Sequence, residues 1–431
     1  MSAVHAVSVS QIETWIRASP QWKQINLQYE SSETTWKSLT GSSIGHVTVG
    51  SALGYSSMGG NSNTSSNWSV SASTSVLPWS SASLEMQKGY FVFLKAQVNR
   101  IASQNATIVD IYSQWCTWAE TERQLKLAQE RLAWAKVQLE IARAQVQQGT
   151  LSSDGLKTKA YEQVRMQADV DTALDHVEQA RAGVSSALGL PNVGSESDFV
   201  LPQLVVPEMT LSEAVQTAWS HRSEVFSAQY ELESARIDAA AARRNAWPTV
   251  ALSGQFGNIG SQGGTLISTG LNINTGLLSL QASGPFQSAS SSPNGLSATL
   301  SMNIPLFDPS TAAAVESADL KVRQLELALE MAKMTVQMDV QKSRTTVIRA
   351  YSAVRTAELS LELSQSITST KEAQFAAGIG TVLDVQEAQL NTTSSEVTLE
   401  TARSNVWLAE LSLKQSLGLS LDTEVLGKVE Q

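Results

Sequence analysis

Trp68-Ser-Val-Ser-Ala-Ser-Thr-Ser-Val-Leu-Pro78 places Trp68, Val70, Ala72, Thr74 and Val76 on one side and Ser69, Ser71, Ser73 and Ser75 on the other. That period of two is the side-chain alternation of a β-strand. A second stretch, 296–305, repeats it, with Leu296, Ala298, Leu300, Met302 and Ile304 set against Ser297, Thr299, Ser301 and Asn303. Each is about ten residues long, the length that crosses a bilayer when tilted, with one apolar and one polar face. A half-buried strand of a soluble sandwich alternates in the same way. The surroundings of the strands decide between the two.

The chain has 431 residues, a formal net charge of −10 and only 16% charged residues. No apolar run approaches the roughly 18 residues of a transmembrane helix, so any membrane passage has to be made by a barrel. The acidic balance argues against nucleic acid as a partner. One cysteine, Cys116, excludes a disulfide framework, and its helical surroundings make it a buried small residue. His5, His46, His176 and His221 are dispersed without ligand spacing, and there is no nucleophile motif or phosphate loop. Neither an enzyme nor a cofactor or metal site is expected. Met331, Met334 and Met338 form a stripe at helical spacing. Thioethers can bind Cu(I), but core packing is their commoner use.

The order of segments repeats. A helical stretch over 9–39, broken near Pro20, leads to a strand at 47–55 and the return strand at 67–78. Residues 82–148 contain no proline and one glycine, Gly89, and read as one helix about 100 Å long. Gly149 ends it, and a second helix covers 156–188. Residues 191–210 read as a proline-rich linker. Then a helix at 211–246, strands at 249–256 and 296–305, a helix at 311–377 and a last helix at 384–417 follow the same plan. A shift of 229 lays Gly149 on Gly378 and Leu188-Gly189-Leu190 on Leu417-Gly418-Leu419. Two structural repeats are therefore expected, 1–190 and 211–420, with a tail at 421–431. The long second strand–strand connection, 257–294, is rich in Gly, Ser and Asn and reads as an exposed, mobile loop facing outward, with Leu277-Leu278-Ser-Leu280 as a short extra strand or a packing anchor.

In each half the two shorter helices sum to nearly the length of the long one, so they are expected to flank it end to end as an antiparallel coiled coil. The fold class is mainly α with a membrane β-barrel. Four strands cannot close a barrel, because the smallest has about eight, and open edges in lipid cost several kcal/mol per lost hydrogen bond. A homotrimer would supply a 12-stranded barrel on an α-helical barrel. Trp68 lies at one end of the strands, with Trp79, Trp247 and Phe307 at the other, as in the interfacial aromatic girdles of such barrels.

Gln374-Phe-Ala-Ala-Gly-Ile-Gly-Thr-Val-Leu-Asp-Val-Gln-Glu-Ala388, followed by Leu417-Gly-Leu419, resembles the second repeat of the TolC-type outer-membrane efflux proteins. Trp247-Pro248-Thr-Val and Ile304-Pro305-Leu306-Phe307-Asp308 are similar to that family's strand-entry and strand-exit segments. The likeness extends over about residues 8–420. It implies a trimeric channel in the cell outer membrane, extending into the periplasm, in contact with outer-membrane lipid. Its implied partners are a periplasmic adaptor (membrane fusion) protein and an inner-membrane pump of RND, MFS or ABC type. No signal peptide is read at Met1-Ser-Ala-Val-His5, so the leader is expected to have been removed or replaced. By the same resemblance, Gly149, Thr150, Gly378, Gly380 and Thr381 form hairpin turns that meet the adaptor. Asp384, Glu387, Asp154 and Phe375 belong to the periplasmic gate. Gly380 replaces the arginine that locks the gate in the best-known member, and Gly155 stands where the first repeat would carry its acid. From the residues alone, Thr381 and Asp384 also fit a capping box. The function expected is a passive exit duct; the alternative is a structural filament or secretion-tip protein built on long coiled-coil helices.

Overall fold

The computed structural model describes residues 9–58, 61–191, 193, 209–257, 265–285, 295–304 and 308–421. In chain order these form α1 Val9–Ala18, α2 Pro20–Ile44, β1 His46–Met58, β2 Asn61–Ser75, α3 Ser81–Gln147, α4 Ser153–Leu188, α5 Leu211–His221 and α6 Ser223–Asn245. Then follow β3 Thr249–Gly257, β4 Leu266–Asn272, β5 Leu277–Pro285, β6 Gly295–Asn303, α7 Pro309–Ala376 and α8 Val382–Ser416. No described helix is long and apolar enough to cross a membrane. Most of the expected 191–210 linker and all but the first residue of the 421–431 tail lie outside the described residues. Thr210, read as the end of that linker, is instead the N-cap of α5, sharing a capping box with Glu213. The chain divides into two compact units, one of Met1–Leu27, Asn99–Arg222 and Thr335–Gln431, the other of Gln28–Val98 and Ser223–Met334.

The first unit is helical. α7 and α8 run antiparallel, held by a small apolar cluster of Ala357, Leu399 and Ala402 and by hydroxyl pairs, Ser364 to Ser395 at 2.8 Å and Thr368 to Thr392 at 2.9 Å. Tyr351 donates to Glu410 further along the same pair. The main core gathers Ile12, Ile16, Tyr112, Trp115, Trp118, Leu188, Trp407 and Leu411. Trp15 stacks on Trp115 at 6.3 Å, Trp118 meets Trp115 edge-on at 5.5 Å, and Tyr112 tilts against Trp407 at 5.0 Å. Each such ring pair adds about 0.5–1.5 kcal/mol beyond the area it buries. The Asn105 side chain accepts from the Leu421 N–H and donates to the Leu419 carbonyl, tying the end of the second repeat to α3.

The two Leu-Gly-Leu phrases close their helices in matching ways. Gly189 and Gly418 both have φ near +70°, and Leu190 and Leu419 donate back to the carbonyls of Ser185 and Lys414, 229 residues apart. A Cβ on Gly189 would come within 2.5 Å of Pro20, and one on Gly418 within 2.7 Å of the His221 backbone. Each glycine thus lies against a break between two helices, α1/α2 at Ser19 and α5/α6 at Arg222. The expected single helix over 211–246 is divided there. No proline marks this second break; Arg222 makes it in an extended conformation and bridges to Asp339 at 3.2 Å.

The second unit carries the sheet, and here the strand count departs from expectation. The order is β1-β2-β5-β4-β3-β6, all antiparallel, so the described residues form six strands instead of the expected four. Half of the expected surface loop is a hairpin at the centre of the sheet. Its register extends the alternation of the flanking strands. One row across all six strands reads Val49, Val70, Ala282, Ile267, Phe256, Leu296; the row one residue along reads Thr48, Ser71, Gln281, Ser268, Gln255, Ser297. Residues directly opposite share a face, so one face is apolar and the other is hydroxyl and amide. No Asp, Glu, Lys or Arg occurs in any of the six strands.

Helices α2, α3, α6 and α7 pack within this unit through rings and surface ion pairs. Trp36 stacks on Phe93 at 5.1 Å and Phe91 on Tyr230 at 5.9 Å. Lys95 meets Glu231 at 2.6 Å, Arg236 meets Glu326 at 3.2 Å and Arg243 meets Asp319 at 2.8 Å. Such exposed pairs contribute at most about 1 kcal/mol each, so they align the helices more than they hold them.

Candidate functional site

The two helical hairpins turn in the same way. At the α3–α4 turn the Gly149 N–H donates to Val146, and those of Thr150 and Leu151 to Gln145; at the α7–α8 turn Gly378 donates to Phe375, and Ile379 and Gly380 to Gln374. Gly149 and Gly378 have φ of 73° and 74°, the left-handed geometry that ends a helix without a Cβ penalty.

The helices that leave these turns are capped differently. At α8 the box expected from the spacing is present: Asp384 N–H donates to Thr381 Oγ1 at 3.2 Å, and the Asp384 carboxylate accepts from the Thr381 N–H at 2.9 Å and hydroxyl at 2.7 Å. These bonds hold the Asp384 carboxyl below its usual range, and the charge of Lys371 on α7 pulls the same way. The antiparallel packing brings Lys371 of the neighbouring helix near enough for its charge to act on Asp384. At α4, Ser152 accepts from Gly155 N–H at 3.1 Å, and with glycine at that place no carboxylate returns the bond. Asp154 instead pairs with Lys157 at 3.2 Å, both largely exposed.

Glu387 is exposed on α8, one turn beyond Asp384. Phe375 is 47% exposed, and Ile379 and Val382, which sequence reading passed over, are 81% and 52% exposed. The second tip therefore presents apolar side chains beside its acids. The signal was the Ile-Gly-Thr-Val phrase itself, with large apolar residues at a turn.

At the sheet, Trp68 lies over Gly284, where an added Cβ would come within 3.3 Å of the indole. Trp79 donates its indole N–H to the Ile273 carbonyl at 2.9 Å, and Trp247 is 67% exposed. Phe307 lies outside the described residues. Cys116 is buried, its thiol pushed up to about 12 mainly by loss of solvent. Met331, Met334 and Met338 are all exposed in the single chain, against the expected core packing. Among the described residues no group of His, Cys, Asp and Glu could hold a metal ion.

At low sequence identity, solved outer-membrane channels share this chain's fold. The chain is similar to CusC, described in terms of transmembrane channel formation, at 15% identity over 95% of this chain and 92% of that one, with a TM-score of 0.71. It resembles the MtrE outer membrane channel of Neisseria gonorrhoeae at 16% identity over 96% and 89%, TM-score 0.69. It also resembles the outer membrane protein VceC of Vibrio cholerae at 11% identity over 96% of both chains, TM-score 0.69. No curated protein matches by sequence. Residues 214–419 match the family described as "Outer membrane efflux protein". That match falls on the second repeat, and the first repeat follows the same hydrogen-bonded plan.

Proposed function

We propose that three copies of this chain assemble into an outer-membrane channel that serves as the passive exit duct of a tripartite export pump. The carrying observation is the sheet, whose apolar face is continuous across six strands and whose edge strands, β1 and β6, have no second strand partner among the described residues. In lipid each unsatisfied backbone group costs several kcal/mol, so the edges demand closure. β1 and β6 run in opposite directions, so β6 of one copy meets β1 of the next as another antiparallel pair, and a ring closes without changing the pattern.

The long helix of the second repeat supports the same reading. Leu320, Leu327, Met331 and Met334 are all about half exposed or more and follow a heptad-like spacing on α7. That is the spacing of a coiled-coil seam, against which a helix of a second copy of the chain would pack. In this assembly the apolar tip around Phe375, Ile379 and Val382, together with the turns Gly149-Thr150 and Gly378-Ile379-Gly380-Thr381, receives the periplasmic adaptor. Asp384 and Glu387 form acidic rings at the entrance, tempered by Lys371, while Asp154 is offset by Lys157. Trp79 and Trp247 mark the inner interface and Trp68 the outer one.

Mass measurement in detergent tests the assembly. Three chains that conduct in planar bilayers are expected; a folded monomer that forms no pore overturns the reading.

A further inference from the structure

The β4–β5 hairpin is built into the membrane wall. Its turn is held on both sides at the end of the sheet where strands pass into helices. The Val76 N–H donates to the Gly276 carbonyl at 3.0 Å and Trp79 caps the Ile273 carbonyl. On the other side the Ile273 N–H donates to Val250 at 2.9 Å, and the Asn274 side chain accepts from the Val250 N–H and donates to the Pro248 carbonyl, both at 3.0 Å. Asn272 Oδ1 accepts from the N–H groups of Asn274 and Thr275 at 3.1 Å, tightening the turn. Gly276 is buried there, its Cβ position 2.8 Å from Leu77. The short turn thus falls on the helix side, and the strand ends at Gly257, Leu266, Pro285 and Gly295 lie on the opposite side, the polarity of barrels with short periplasmic turns. A decorative loop needs neither these bonds nor an apolar–polar alternation in step with its neighbours.

We infer that β4 and β5 are transmembrane strands, so that the trimer closes an 18-stranded barrel, lined by neutral hydroxyl and amide side chains, wide enough to pass bulky cargo of either charge. This rests on the trimeric reading above. Barrel diameter grows roughly linearly with strand number, so eighteen strands give about one and a half times the width of twelve, in the range where porins hold an open aqueous channel. With no charged residue in the six strands, the barrel sorts cargo by neither sign nor tight fit, and selection falls to the helical tips.

Single cysteines along the hairpin test this in the full-length assembly; buried Cys116 stays silent to thiol reagents. Ser268→Cys, Ser279→Cys and Gln281→Cys should react with a charged, membrane-impermeant maleimide, whereas Ile267→Cys, Leu278→Cys and Leu280→Cys should react only with a bilayer-dissolved reagent. Uniform reactivity with the charged maleimide, as for a surface loop, overturns the proposal. Excising residues 262–289 should leave three chains but lower by about a third the diameter of neutral polymers that enter from the outer side; an unchanged cut-off also overturns it. Should the excised form not assemble, the labelling pattern decides alone. An alternating pattern in an assembly of two chains would mean twelve strands: the trimer and the wide bore would fall while the transmembrane hairpin stood.

Discussion

The long helices α3 and α7 are almost equal in length, 67 and 68 residues, and occupy the same place in the two repeats, yet they are buried very differently. α3 buries fifteen side chains, among them Tyr112, Trp115 and Trp118; α7 buries only Val336, Val340, Val347 and Ala357. One repeat plan has thus been used for two tasks. The long helix of the first repeat runs through the chain's main core. The second displays an apolar seam whose cover, on the proposed function, is another copy.

Trp115→Ala should break the first side of this comparison with the largest effect. It removes a fully buried ring from the centre of the core, at about 3–5 kcal/mol in a denaturant titration of the folded chain. The same measurement on Leu327→Ala should show little loss.

Leu327→Asp with Met334→Asp tests the other side. The isolated chain should keep its helix content, because both residues are exposed in it. Assembly should weaken at least about 100-fold, since an unpaired charge buried between copies costs several kcal/mol. Unchanged mass at micromolar protein would show that the seam faces solvent.

The tips differ by the glycine at 155 against the aspartate at 384, and exchanging them sharpens the contrast. Asp384→Ala with Glu387→Ala should lower cation-over-anion selectivity severalfold in bilayer recordings, because acidic rings favour cations. Gly155→Asp should move it the other way and give α4 a box like that of α8. Selectivity unmoved by either would take these residues out of the pore.

The smallest effect concerns the start of α7. The Asp308 carboxylate accepts from the N–H and hydroxyl of both Ser310 and Thr311, and these bonds bring its carboxyl down to about 2 from 3.8. A depressed carboxyl stabilises the fold above its unfolded value, and that contribution disappears as pH falls through about 2. Asp308→Asn should lower the melting midpoint by on the order of a degree at neutral pH and remove the part of the acid dependence that arises at the head of α7. An identical acid profile would show that the cap contributes nothing.

Much of this was legible in the residues because it is local. Helix ends follow from Gly149, Gly189, Gly378 and Gly418, and the α8 cap from Thr381 and Asp384 three apart. The repeat emerges from a shift of 229, and four of the strands from alternation. What escaped depended on partners far away in the chain. Residues 266–285 alternate too, but Gly270, Gly276, Gly284 and the many serines hide it, and β5 pairs with β2 some two hundred positions earlier, Trp68 opposite Gly284. The break at Arg222 likewise has no proline to announce it and is set by Gly418 from the far end of the second repeat.

The amino-acid sequence alone therefore determined the kinds of segment, their order and the kinship of the two halves, since turns, caps and periodicity are settled by neighbours within a few positions. Only the tertiary structure decided that residues 266–285 of the long connection are sheet and that one face of α7 stays exposed in the single chain. A strand of small residues becomes a strand when other strands hold its backbone, and a helix face counts as buried or open only once everything that packs on it is in place.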